Sequence, residues 1–179
     1  MVRGRLRASA GAMLLLPALL ACGGTEEPDA PPTYYADLAE LTQRLDDDNT
    51  EADGALHEEL EGASPDEMGD LFSRVTIEGA DRLDAMLDEV SSLSAPDEAR
   101  EAYQELIDAS VAMVAEDRVT AEAMAGLSSD ELGGLEPRPA YVAAEERVDQ
   151  ACVALQDLAD AAGADVELCV GMFAPPGTS

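Results

Sequence analysis

His57 is the only imidazole in this 179-residue chain, set between Leu56 and Glu58-Glu59. One histidine excludes most metal and nucleophile chemistry that a helical protein could carry. A dinuclear-iron bundle requires two Glu-x-x-His pairs, and the residue three before His57 is Gly54. A zinc protease helix requires His-Glu-x-x-His, and no second histidine exists. There is no Gly-x-Ser-x-Gly elbow and no glycine-rich phosphate loop. We therefore read His57 as a solvated helix residue and expect no enzyme. Carboxylates are abundant, with 39 Asp and Glu, so their proximity alone says little. A calcium loop can be tested on Asp46 to Gly54. With Asn49 as first ligand, Glu51, Asp53 and Gly54 fall at the third, fifth and sixth positions. The twelfth, which needs a bidentate glutamate, is Leu60. What stays open is loose divalent-cation binding by Asp46, Asp47, Asp48, Glu51 and Asp53, beside a plain solvated helix segment or a kink.

The thiols are more informative. Cys22 ends an apolar run over residues 10–22 that follows Arg3, Arg5 and Arg7. A cationic start and a short apolar centre are the layout of a secretory signal. The run is shorter than the roughly 20 apolar residues needed to span a bilayer. Leu19-Leu20-Ala21-Cys22 resembles the lipobox of bacterial lipoproteins. That resemblance implies cleavage before Cys22, a diacylglycerol on its sulfur, and anchoring to a cell membrane or outer membrane with the domain facing the periplasm or exterior. Gly23 stands where an inner-membrane retention signal would place aspartate, which favours the outer membrane. An ordinary signal peptide with an incidental cysteine is the alternative. Residues 22–33, rich in Gly, Pro and acids, read as a flexible tether.

Composition restricts the partners. The formal net charge is −29, every cation is an arginine, and removal of residues 1–21 takes the charge to −32. Nucleic-acid binding needs clustered cations and is not expected. An envelope protein or a cationic partner suits the charge, and a divalent cation is the other class of ligand. The 46% hydrophobic content argues against disorder, while 3% aromatic residues leave a core of Leu, Val, Met and Ala. Such a core suits helix packing better than a pocket for a planar ligand or a sugar chain. A glycosidase working through paired acids is correspondingly disfavoured.

Apolar spacing predicts four long helices. The first runs from Tyr34 to about Glu61 on Tyr34, Leu38, Leu41, Leu45, Ala52, Leu56 and Leu60, with a gap at Asp48 and Asn49. Ser64-Pro65-Asp66-Glu67 opens the second as a capping box, with Leu71, Leu83, Met86, Leu87 and Val90 inward and Gly79 as its weak point. Pro96-Asp97-Glu98 opens the third, through Tyr103, Leu106, Met113 and Val114 to about Ala125. Ser128 to Leu132 forms a short capped turn. The last helix spans Ala140 to Ala162 on Tyr141, Val148, Cys152, Leu155 and Ala159. Short Pro-containing turns between long helices predict an all-α, up-down antiparallel bundle of about four helices.

Cys152 and Cys169 remain. Outside the reducing cytosol two thiols are expected to join. A helix ending at Gly163 followed by an extended return of Ala164 to Cys169 can bring them within range. Two buried free thiols, or a metal or redox site, are the competing readings. Cys152-Val153-Ala154-Leu155-Gln156, then Gly163-Ala164-Asp165-Val166-Glu167-Leu168-Cys169, resembles the C-terminal signature of uncharacterised helical lipoproteins. The resemblance implies an exported domain with a disulfide-closed tail and carries no activity with it. The expected organisation is a signal peptide over 1–21, a lipidated linker over 22–33, a helical bundle over 34–174 and a disordered tail over 175–179. The expected function is that of a membrane-anchored, non-enzymatic interaction or structural module. Apart from lipid on Cys22 and a divalent cation, no cofactor is expected.

Overall fold

A computed structural model describes residues 32–168. The expected signal peptide, Cys22, Cys169 and the 175–179 tail lie outside the described residues, as does most of the linker.

The protein is an all-α bundle. Its elements are α1 (Pro32–Leu60), α2 (Met68–Val90), α3 (Arg100–Met124), a single turn α4 (Ser129–Leu132) and α5 (Pro139–Ala161). No strand occurs among the described residues. Helix α1 starts two residues before Tyr34, because Pro32 fits a first turn whose N–H groups have no intrahelical acceptor. Helix α2 starts later than its capping box suggests. Ser64 donates from its backbone N–H and its Oγ to Glu67 Oε2, at 2.9 and 2.7 Å, but residues 65–67 form a turn before the helix. Ser128 and Glu131 repeat the arrangement at α4, again at 2.9 and 2.7 Å. These serine donors hold both glutamates below the usual carboxylate range.

Side-chain pairs between neighbouring helices establish the up-down order. Between α1 and α2, Arg44 meets Glu89, Arg82 meets Asn49 and Arg74 meets Glu59. Between α2 and α3, Arg118 reaches Asp81 and Asp84, both at 3.0 Å, and the Tyr103 hydroxyl donates to the Val90 carbonyl. Between α3 and α5, Arg138 meets Glu116 at 2.5 Å and Arg147 meets Glu105 at 2.6 Å. In every pair one position rises as the other falls, so each helix is antiparallel to the next. Helix α3 is the central member, packed along both α2 and α5, whereas α1 leans mainly on α2. Small buried residues explain the closeness at α3. Ala109, Ser110 and Ala121 of α3 and Ala144, Ala151 and Ala159 of α5 are nearly inaccessible, and small side chains let helix axes approach.

Leu38, Leu83, Val90, Val148 and Leu155 are each 1% exposed and lie in one continuous core. Burying such a side chain fully stabilises the fold by about 1.5–3 kcal/mol. Tyr34, Tyr35 and Tyr103 join that core edge to face, with ring centroids 5.0 and 5.7 Å apart. Tyr35 is fully buried although it stands outside the predicted stripe. Conversely Ala52, Leu56 and Leu60 are only half-buried, because the second half of α1 has α2 on one side and solvent on the other.

Candidate functional site

The candidate metal ligands, Asp46, Asp47, Asp48, Glu51 and Asp53, lie in the middle of α1. Residues 46–54 are continuous α-helix inside α1, with no loop at the predicted gap. Successive helical residues point about 100° apart, so Asp47, Asp48 and Glu51 lie on one side of the helix and Asp46 and Asp53 on another, and the five do not converge on one point. Asp47 accepts a hydrogen bond from Gln43 Nε2 at 3.0 Å, one turn earlier. Among the described residues no group of three or more His, Cys, Asp or Glu side chains is placed to hold a metal ion. The His57 side chain is 80% exposed, 4.0 Å from Glu61 on the next turn. The stretch is helix rather than the loop that a calcium site of the tested pattern requires.

The second candidate region is the end of α5. Cys152 is 3% exposed in the core face of α5, beside Leu155 and Val148. Gly163, at φ 72°, turns the chain out of the helix in a conformation that glycine adopts without strain. The N–H of Ala164 donates back to the Ala159 carbonyl at 2.9 Å and that of Gly163 to the Asp160 carbonyl at 3.0 Å. These are the two hydrogen bonds of a Schellman termination. The chain then returns along α5 without regular structure, held by Gln156. Its Nε2 donates to the Val166 carbonyl at 2.9 Å, and its Oε1 accepts the Leu168 N–H at 2.9 Å. Leu168 is 2% exposed and enters the main core. Gln156 lies one helical turn beyond Cys152, so the segment preceding Cys169 runs beside the cysteine's own turn. The role of Gln156 was hidden in the sequence; only its i+4 spacing from Cys152 hinted at it.

Charge placement is the third feature. Six of the seven arginines between residues 32 and 168 reach across to an adjacent helix, and the seventh, Arg100, pairs locally with Asp97. Exposed pairs of this kind contribute about 0–1 kcal/mol each. Their larger consequence is that the cations line seams between helices, leaving the outward faces carboxylate-rich. The groove between α3 and α5 shows this, with Glu98, Glu101 and Glu105 above a floor of Ala102, Ala151 and Ala154. The hydrogen bond from Arg147 holds Glu105 below the usual carboxylate range. A smaller groove of about 180 Å³ lies between α1 and α2, on Leu41, Leu45 and Met86, rimmed by Arg44, Asp48, Arg82 and Glu89.

One carboxyl behaves differently. Burial pushes Asp117 of α3 up to about 6. Burial, with the Asp117 and Glu145 charges nearby, also raises the Tyr141 hydroxyl. A raised folded value means that the native state binds this proton more tightly than the unfolded chain does. Its contribution to stability is complete below the ordinary aspartate value and is lost as pH rises through about 6. Asp117→Asn is accordingly expected to stabilise the protein above pH 7 by about 1 kcal/mol, raising Tm by roughly 3 °C. The gain should vanish near pH 4. Paired thermal melts of the two proteins across that range cancel the titration of the other carboxylates, and a gain independent of pH would refute the assignment.

Compared with protein-family models, with curated proteins and with solved structures, the chain matches none.

Proposed function

We propose that this protein is a lipid-anchored cell-envelope lipoprotein whose helical bundle acts as a non-enzymatic interaction or structural module. One observation carries the reading. Leu19-Leu20-Ala21-Cys22 closes an arginine-led apolar run, and a packed bundle follows from Pro32, about ten residues later. No helix among the described residues is long and apolar enough to cross a membrane. Stable attachment would therefore come from lipid on Cys22, where two or more acyl chains hold firmly and one does not. The N-terminus of α1, the α2–α3 turn and the C-terminus of α5 share one end of the antiparallel bundle. The tether would join the bundle at that end, and the far end lies about the length of α1 away from it, roughly 40 Å at 1.5 Å per residue.

The same proposal includes a Cys152–Cys169 disulfide. Its support is the Gln156 clamp, which places Leu168 in the core one residue before Cys169. A carboxylate-rich exterior favours a basic protein surface as partner, with charge accelerating encounter.

Intact mass spectrometry of membrane-extracted protein, with and without reduction, tests both modifications. The expected result is a chain beginning at Cys22, heavier by its acyl groups and gaining two hydrogens on reduction. A soluble chain with residues 1–21 still attached would overturn the anchoring.

The divalent-cation reading gains nothing from the geometry of Asp46 to Asp53. Millimolar calcium or magnesium is expected to raise Tm no more than sodium chloride of equal ionic strength does, since no three carboxylates among the described residues are grouped to hold an ion. A larger divalent shift, abolished when Asp46, Asp47 and Asp48 are all changed to Asn, would restore it.

A further inference from the structure

Arg82 is the exception among the arginines. Arg44, Arg74, Arg100, Arg118, Arg138 and Arg147 each reach a carboxylate. Arg82 instead donates from Nε to a neutral amide, Asn49 Oδ1, at 3.0 Å, and among the described residues its two Nη atoms have no hydrogen-bond partner. In a chain with 39 acids, a half-buried guanidinium without a carboxylate is unusual. It borders the α1–α2 groove, and so does Asp48, which among the described residues has neither a hydrogen bond nor an ion pair. The two charges are not within bonding distance of each other. The other charged pair at the rim is already neutralised, with Arg44 Nη2 2.7 Å from Glu89 Oε2. Beneath them Leu41, Leu45 and Met86 supply an apolar floor.

We propose that this groove binds a small zwitterion, namely an α-amino acid with an aliphatic side chain. Its carboxylate meets the Nη atoms of Arg82, its ammonium meets Asp48, and its side chain lies on Leu41, Leu45 and Met86. Guanidinium groups favour carboxylates through paired N–H donors. Zero net charge is what the rest of the molecule demands. A simple anion is repelled by the overall negative field, and a simple cation has no reason to choose this groove among so many acids. The volume of about 180 Å³ is below the ~300–1,000 Å³ of sites for drug-sized molecules, which suits a ligand of this size. The proposal stands apart from membrane anchoring and can fail without affecting it.

The test is a methyl NMR titration of the full chain with L-leucine, alongside 4-methylpentanoate, which lacks the ammonium, and isoamylamine, which lacks the carboxylate. Saturable millimolar binding of leucine that shifts Leu41, Leu45 and Met86 methyls is expected, with each control weaker by about tenfold. Arg82→Gln and Asp48→Asn should each weaken leucine binding by a similar factor, while Glu101→Gln, in the α3–α5 groove, leaves it unchanged. Should Arg82→Gln fail to fold, Asp48→Asn decides the outcome alone. No saturable shift with leucine overturns the proposal. So does equal binding of either control, or an unchanged affinity in the folded variants.

Discussion

Replacing Gly69 with alanine is expected to cost about 3 kcal/mol and lower Tm by roughly 10 °C. Gly69 is buried where the first turn of α2 meets the chain leaving α3. Its N–H donates to the Leu127 carbonyl at 3.0 Å. A β-carbon would lie 2.3 Å from Leu127 O, 2.4 Å from Met124 O and 2.5 Å from Leu127 N. All three are backbone atoms, so no rotamer change relieves the overlap and the segments must separate. Two further hydrogen bonds hold the same junction. The Gly126 N–H donates to Asp70 Oδ1 at 2.8 Å, and the Ser129 N–H to the Pro65 carbonyl at 2.9 Å. Losing the approach strains all of them together. Asp70→Asn, which weakens one bond and introduces no clash, should cost only about 1 kcal/mol. Thermal unfolding followed by circular dichroism separates the two cases, and a Gly69→Ala protein melting within about 2 °C of the parent would show that the junction yields.

The second large effect concerns the tail. If Cys152 and Cys169 are joined as proposed, reduction without other change should destabilise the protein by about 3 kcal/mol, the chain-entropy value for a loop of this size. Cys169→Ser should melt at the temperature of the reduced parent and be insensitive to reductant. It is the better variant, because Cys152 is in the core and a serine there adds the cost of a buried hydroxyl. Equal melting temperatures with and without reductant would refute the cross-link's contribution. Gln156→Ala tests the clamp separately, since both of its bonds to the returning segment are lost while both thiols remain. A loss of about 1–2 kcal/mol is expected.

Much of the architecture was legible because it depends on short-range periodicity. Leu38, Leu41, Leu45, Leu83, Met86, Leu87, Val148 and Leu155 were placed inward by spacing, and all are buried. The turns at Ser64 and Ser128 were readable because a serine and a glutamate three residues on satisfy each other locally. Spacing failed where the partner helix, rather than the pattern, sets exposure. Ala52, Leu56 and Leu60 continue the stripe of α1, but only α2 covers that half of it. Tyr35 breaks the stripe, but the end of the bundle encloses it. Asp46 to Asp53 are adjacent in the sequence, but adjacency along a helix is not convergence, and no three of these side chains are grouped to hold an ion.

By itself the sequence determined the helix count, the order of the elements, the side of each helix that turns inward and the excess of acid, since all of these follow from composition and 3.6-residue repetition. Only the tertiary structure decided which arginines lie between which helices, why Gly69 cannot be larger, and that Arg82 and Asp48 border one groove without an ion pair to any described residue. Those facts belong to residues distant along the chain, and their separation is set by how close two helix axes can come.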